Sequence, residues 1–287
     1  MAVSLWSIEQ ALKWAKTLLA EHGVSDDGVF DSCGIDSKTL LAACLDKQIV
    51  FLHTWPETQL SASQMDSFKS AVMKRAKGHP VAHIIGYRDF WSLRLKVSPA
   101  TLIPRPETEL LVEVALELPL PKQANVLDLG TGTGAIALAL ASERTNWFVT
   151  GVDKSSDAVA LAIENAALNN QDVTFKQSDW FSAIADKHFD LIVSNPPYIE
   201  NNNLYLKQGD VRFEPASALT SGDDGLDDIR HIVAQSKSKM SKNGWLVIEH
   251  GYQQHLHVSA IFKEHGFNNI RTETDLNHLP RVTIASI

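Results

Sequence analysis

Val126-Leu127-Asp128-Leu129-Gly130-Thr131-Gly132-Thr133-Gly134 reads as a buried strand, a glycine-rich turn and the opening of a helix. Glycine suits such a turn because a side chain would block a ligand lying against the backbone. Outward from it, strand and helix patterns alternate. Strands are predicted at 125–129, 148–152, 173–177, 189–194 and 245–249, and helices at about 135–142, 156–169, 227–240 and 254–265. Such alternation gives a mostly parallel sheet covered on both faces. Two strand-like runs, 270–274 and 281–285, end the chain and are expected to pair as an antiparallel hairpin at the sheet edge. The fold class is α/β and Rossmann-like.

Before this domain the pattern is helical. Leu5, Ile8, Leu12, Ala15 and Leu19 share one helix face that stops near Gly23. A short helix is predicted over about 37–46. A third begins at an S-x-x-Q capping box, Ser61 with Gln64, where Leu60 and Met65 can form a hydrophobic staple. Gly78 and Pro80 end it. The expected division is a helical domain over 1–80, a β-hairpin connector over 81–104 and the α/β domain over 105–287. Pro104-Arg105-Pro106 breaks the chain before a helix near Glu107.

The glycine-rich turn is ambiguous by itself. Asp153, at the end of the next strand, can accept hydrogen bonds from both hydroxyls of a ribose. S-adenosylmethionine, a dinucleotide or no ligand at all are each compatible with these residues. Trp180, after the third strand, can border an adenine or serve the core.

A second constellation narrows the choice. The strand 190–194 runs into Asn195-Pro196-Pro197-Tyr198, and ligand sites in such sheets lie at the carboxyl ends of strands. An amide nitrogen is a poor nucleophile, so an enzyme that methylates one must orient it and stabilise the charge that builds on it. The Asn195 side-chain oxygen and the Pro196 carbonyl can accept the two N–H bonds of a planar NH2. The prolines stiffen the chain and add no competing donor. Tyr198 can lie flat against the planar group. A plain polar turn is the bland alternative; its pairing with the glycine-rich turn argues against it.

The bulk properties limit partners. The 287 residues carry a net charge of −8, 44% hydrophobic and 21% charged side chains. That balance disfavours a nucleic-acid backbone as main partner. No apolar run suits a bilayer, and Glu9, Lys13 and Lys16 interrupt the N-terminus against a signal peptide. Cys33 and Cys44 form no metal or redox pattern. His255 with His257 lacks further ligands, and Asp223-Asp224 with Asp227-Asp228 reads as a solvated loop before a capped helix. No metal is expected. Arg105 and Glu107 could line the donor crevice or form a structural salt bridge.

With these residues in place, the chain resembles the bacterial N5-glutamine methyltransferases of peptide chain release factors. The resemblance runs from about residue 60 to the C-terminus. It rests on Pro80 to Gly86 with Phe90, Leu102 to Glu109, Asp128 to Gly134, Asp153, Asp179-Trp180, Asn195 to Tyr198, and Phe213-Glu214-Pro215 with Ala218-Leu219. It implies a class I methyltransferase sheet with S-adenosylmethionine as donor and S-adenosylhomocysteine as product. It implies as substrate the glutamine of the Gly-Gly-Gln motif of class 1 release factors, held in part by the helical domain. Donor binding carries over to Gly130, Thr131, Gly132, Thr133, Gly134, Asp153, Trp180 and Asn195. Catalysis carries over to Asn195, Pro196 and Tyr198, and substrate contact to Asn195, Pro196, Pro197 and Tyr198. A cytoplasmic monomer, without nucleic-acid substrate or membrane, is expected. Two segments depart from the family: Ser37-Lys38-Thr39 stands where Ala-Glu is usual, and the loop 275–281 lacks a glycine. The competing readings are an adenine-N6 methyltransferase, for which the same tetrapeptide would serve but a basic nucleic-acid surface is missing, and a non-catalytic module on the same scaffold.

Overall fold

The computed structural model describes residues 5–24, 31–184 and 188–287. Internal contacts divide the chain into two units. One is Met1–Gly86 together with Gln208–Phe213, and the other is Tyr87–Lys207 with Glu214–Ile287.

The first unit is helical: α1 (Ile8–Glu21), α2 (Ser32–Leu45), α3 (Ile49–Thr54), α4 (Ala62–Ala76) and α5 (Val81–Ile85). Capping boxes start α1 and α4. In each, a serine oxygen (Ser7, Ser61) accepts from the backbone N–H of a glutamine three residues on, whose side chain accepts from the serine N–H. The core is Ile8, Leu19, Leu40, Leu41, Phe68 and Val72 with their neighbours. α2 starts five residues earlier than predicted, because Asp31 caps it by accepting from Gly34 N–H at 2.9 Å. Ser37 is buried there and donates to the Cys33 carbonyl at 2.6 Å, so this departure from the family pattern is an internal helix contact. The short segment 208–213 belongs to this unit. Arg75 on α4 holds it by pairing with both Asp36 and Asp210 at 2.6 Å, and Phe213 stacks near His79 at 4.5 Å between ring centres.

The second unit opens with the hairpin β1 (Tyr87–Phe90) and β2 (Leu93–Lys96), then α6 (Glu109–Glu117). The residues read as a connector thus begin with helix α5, which Pro80 starts and left-handed Gly86 (φ 85°) ends. The sheet contains β3 (Asn125–Leu129), β4 (Phe148–Asp153), β5 (Thr174–Gln177), β6 (Phe189–Ser194), β7 (Met240–Glu249), β8 (Asn268–Thr274) and β9 (Pro280–Ser286). Its order is β5-β4-β3-β6-β7-β9-β8. The first five are parallel, while β9 and β8 run antiparallel. The final hairpin therefore adds both its strands to one edge of the sheet.

Alternate residues face opposite sides, as the strand pleat dictates. Val126, Leu191, Val193 and Val247 pack with α7 (Ala135–Glu143) and the first turns of the unit. Leu127, Leu129, Ile192, Leu246 and Ile248 pack with α9 (Asp227–Ser236) and α10 (His255–Glu264). Between them in sequence, α8 (Ser156–Leu168) follows β4. Asp190 ties three strands together: one oxygen accepts from Asn125 N–H at 2.8 Å and the other from Ser241 Oγ at 2.6 Å. The glycine-free loop 275–281 is held by Asp275, which accepts from the N–H groups of Asn277 and Leu279 and from Arg281 Nε. His278 takes the left-handed backbone (φ 58°).

Candidate active site

A cavity opens where the carboxyl ends of β3, β4 and β6 meet. Gly130, Thr131, Gly132 and Thr133 after β3, Asp153 at the end of β4, Trp180 after β5 and Asn195 with Pro197 after β6 all line it. Leu102, Pro104, Arg105 and Thr108 close a further wall with Ser217 and Ala218.

The glycine-rich turn is built as its sequence suggests. Gly130, Gly132 and Gly134 have φ of 69°, 55° and 83°, a region costly for other residues. Gly134 is not part of the wall. A Cβ on it would meet Phe175, Leu138 and Ala162 at 3.0–3.3 Å, so its contribution is a tight start to α7. Thr131 fixes the turn by donating to Asp128 Oδ2 at 2.6 Å. Burial pushes the Asp128 carboxyl up to about 7, against the Thr131 hydrogen bond that pulls it down. Asp153 accepts from Gly132 N–H at 3.0 Å through one oxygen and from Ser155 N–H at 2.9 Å through the other. Each oxygen keeps a second lone pair, so the carboxylate is held in place and can still accept hydroxyl donors. The Trp180 ring covers Gly130: a Cβ there would lie 3.4 Å from Trp180 Cζ3. Thr101 Oγ1, buried on the same wall, has no hydrogen-bond partner among the described residues. An orphaned hydroxyl, backbone exposed at Gly132 and an acceptor pair at Asp153 together fit a polar nucleoside.

Asn195 is half-buried on the cavity wall, Pro196 is buried, and Pro197 shares the wall. The Asn195 Nδ2 donates to Thr108 Oγ1 at 3.0 Å. Tyr198 turns its hydroxyl to Glu249 Oε1 at 3.4 Å, and its main-chain carbonyl accepts from Gln254 Nε2 at 3.0 Å. Burial holds the Tyr198 phenol well above its ordinary range, so it stays protonated as a donor. Ser194 Oγ donates to the Leu129 carbonyl at 2.8 Å, stitching the start of the tetrapeptide to the start of the glycine turn.

Arg105 lines the cavity and also forms a salt bridge. Its Nη2 pairs with Glu214 Oε2 at 2.6 Å, and Glu214 Oε1 accepts from Ile103 N–H at 3.0 Å. One buried carboxylate thus locks the segment around Arg105 to the one around Pro215. Glu107 is exposed and away from the wall.

Thr101, Thr108 and Glu249 were not legible as site residues from the sequence. Glu249 carried a signal that could have found it, a carboxylate on the last position of a parallel strand. Thr108 is an ordinary threonine in a helix-start segment, and only the fold brings it to Asn195.

Two family profiles match the chain: the Methyltransferase small domain over residues 106–222 and the PrmC N-terminal domain over residues 10–86. The release factor glutamine methyltransferase of Shewanella oneidensis is 49% identical over 96% of this chain and 95% of its own length. Its counterpart from Escherichia coli is 48% identical over 87% of this chain and 90% of its own. Among solved structures, a methyltransferase from Pyrococcus furiosus overlays with a TM-score of 0.53 at 15% identity, covering 68% of this chain and 89% of that one, a likeness of fold. Near-full-length identity of this degree, over both the helical and the α/β units, places the chain in the release factor glutamine methyltransferase family.

Proposed function

We propose that this protein transfers the methyl group of S-adenosylmethionine to the side-chain amide nitrogen (N5) of the glutamine in the Gly-Gly-Gln motif of class 1 release factors, supporting translation termination. The observation that carries the reading is the shared wall: the glycine turn, Asp153, Trp180, Asn195 and Pro197 border one cavity. The name borne by the relatives supplies the substrate class.

S-adenosylmethionine bound here supplies a methyl group already activated by its sulfonium charge. The chain's own task is placement. Gly130, Thr131, Gly132 and Thr133 offer backbone to the donor. Gly134 sets the turn behind them, Asp153 offers acceptors for ribose hydroxyls, and Trp180 an aromatic border. Asn195 accepts one N–H of the glutamine amide through Oδ1, and the Pro196 carbonyl accepts the other. As the nitrogen bonds the methyl carbon, the methyl–sulfur bond would break with its electron pair going to sulfur and S-adenosylhomocysteine leaving; the nitrogen lone pair leaves conjugation and its hydrogens become more acidic. Acceptors fixed in advance stabilise that charge without reorganising. One hydrogen then leaves as a proton to solvent, giving the neutral N-methyl amide. Pro197 and Tyr198 frame the planar group.

The division of labour follows the same reading. The helical domain holds the release factor, and exposed Ile35, Val50 and Trp55 supply apolar surface for it. The stretch 81–104 serves in this reading as the connector between them. A net charge of −8 supports a protein substrate over nucleic acid. The reading has the enzyme act as a cytoplasmic monomer without a metal.

Labelled S-adenosylmethionine, offered with a release factor, its Gln→Ala variant and nucleic acid, tests this. Label is expected on the unaltered factor alone. Label on nucleic acid would replace the reading with adenine methylation, and no label anywhere would leave a non-catalytic module.

A further inference from the structure

The turn after β5 sends two neighbouring rings inward. Phe181 is buried in the core, and the Trp180 ring lies over Gly130, where a Cβ would meet its Cζ3 at 3.4 Å and its Cη2 at 3.7 Å. Trp180 does this with a left-handed backbone (φ 48°), a conformation uncommon for a bulky side chain. Such a residue persists only where its surroundings hold it.

The hold comes from Ser178, which is 3% exposed and lines the same cavity. Its hydroxyl donates to the Trp180 carbonyl at 2.8 Å, pinning the peptide bond that follows Trp180. Its oxygen accepts from Ala183 N–H at 2.9 Å, so the proton and a lone pair are both committed to one arrangement. Asp179 and Ser182 close the turn from its other side. Asp179 N–H donates to Ser182 Oγ at 3.1 Å, and Ser182 N–H donates to the Asp179 carbonyl at 3.0 Å. Ser178 is itself anchored, because its N–H donates to the Asp153 carbonyl at 2.9 Å. One serine thus ties the acidic and the aromatic residues of the cavity wall together.

We infer that Ser178 is a positioning residue for the methyl donor: its hydroxyl holds Trp180 in the left-handed backbone that sets the ring against Gly130, so that the aromatic border of the cavity stands ready before a nucleoside arrives. The consequence for binding rests on the donor reading proposed above, whereas the hold on the ring is a property of the chain alone.

Ser178→Ala, Trp180→Ala and the double variant of the full chain test it, with S-adenosylhomocysteine as the probe. Alanine at 178 removes the hydroxyl and little volume. By calorimetry, Ser178→Ala is expected to bind the probe about fivefold or more weakly than wild type, the scale of one lost aromatic contact. KM for S-adenosylmethionine should rise with it, while KM for the release factor stays within about twofold of wild type. In the Trp180→Ala background the same change should cost less than about twofold, because the ring it serves is gone. The second readout needs no ligand. Replacing the seven tryptophans by 5-fluorotryptophan gives each a fluorine resonance, and that of Trp180 is assigned by its loss in Trp180→Phe. It should shift or broaden in Ser178→Ala. Wild-type affinity in Ser178→Ala, an equal loss with and without Trp180, or an unmoved Trp180 resonance would each overturn the inference. Should alanine prevent folding, Ser178→Cys, similar in size with only a weak S–H donor, decides in the same way. Should the wild type bind no S-adenosylhomocysteine, the donor reading fails, and the fluorine resonance still decides whether Ser178 holds Trp180.

Discussion

In the proposed reaction, Asn195→Ala would remove the acceptor of one target hydrogen and leave the cavity proposed for the donor still walled by the glycine turn and Asp153. Loss of one preorganised hydrogen-bonding group at a reacting centre costs about a hundredfold or more in turnover. Single-turnover assays beside S-adenosylhomocysteine titration should show that fall in kcat with donor affinity kept within a few-fold. The same residue scale carries a pH dependence. Burial raises the Glu249 carboxyl to about 7, with Glu107 raising it further and Thr108, Arg281 and Tyr198 pulling it down. Protonated, it is a poorer acceptor for the Tyr198 hydroxyl 3.4 Å away, and Tyr198 is held less firmly in the tetrapeptide. Turnover should therefore rise with pH through about 7, and a profile of kcat flat between pH 6 and 8 would contradict it. Gly225 (φ 74°) is a third point. A Cβ there would lie within 2.2 Å of the Tyr198 carbonyl oxygen. Gly225→Ala should cost about 2 kcal/mol or more in denaturant unfolding, through left-handed strain and collision with the tetrapeptide's backbone.

At the scale of elements, the sequence was most legible where both faces of a strand are buried. The ends of β3 and β6 lie at the predicted residues because 125–129 and 189–194 are apolar runs bounded by turns. β7 begins five residues before its predicted start. Ser241-Lys242-Asn243-Gly244 resembles a turn, yet Met240 pairs with Phe189 across a bulge and draws that stretch into the sheet. Such pairing is tertiary and leaves no local trace. α3 was hidden for the opposite reason: Ile49-Val50-Phe51 is β-prone, and only Leu52 of the helix is fully buried. The capping box of α4 was legible because its signal is local. Ser61→Ala should destabilise the helical unit by about 1 kcal/mol, read as a shift of its denaturant midpoint, with no change in donor affinity. For the site, the cavity residues were legible through motif spacing, whereas only the fold brings Thr101 to the wall, Thr108 to Asn195 and Glu249 to Tyr198.

Across the whole molecule, stability and pH are linked through the buried acids. Asp128 and Glu249 both titrate near 7 in the folded protein and in the ordinary carboxylate range when unfolded. Between those values the unfolded chain has released protons that the folded one retains, so each acid lowers stability as pH rises toward about 7. Glu249→Gln removes one such penalty. Its melting temperature relative to wild type should be higher at pH 8 than at pH 5 by about 3 °C or more, measured by thermal melts at the two pH values. An equal or smaller difference at pH 8 would show that Glu249 does not carry the charge cost its burial implies.

The segment 208–213 gives the molecule a further property. The helical unit is written in two places along the chain, and Arg75 is paired with residues from both. No single cut after Gly86 yields two complete pieces. A chimera that exchanged helical units between relatives at that point would import Arg75 and leave Asp210 behind. Recombination of this protein's units therefore needs further crossover points around 208–213, so its helical unit and its α/β unit are expected to be inherited together rather than shuffled.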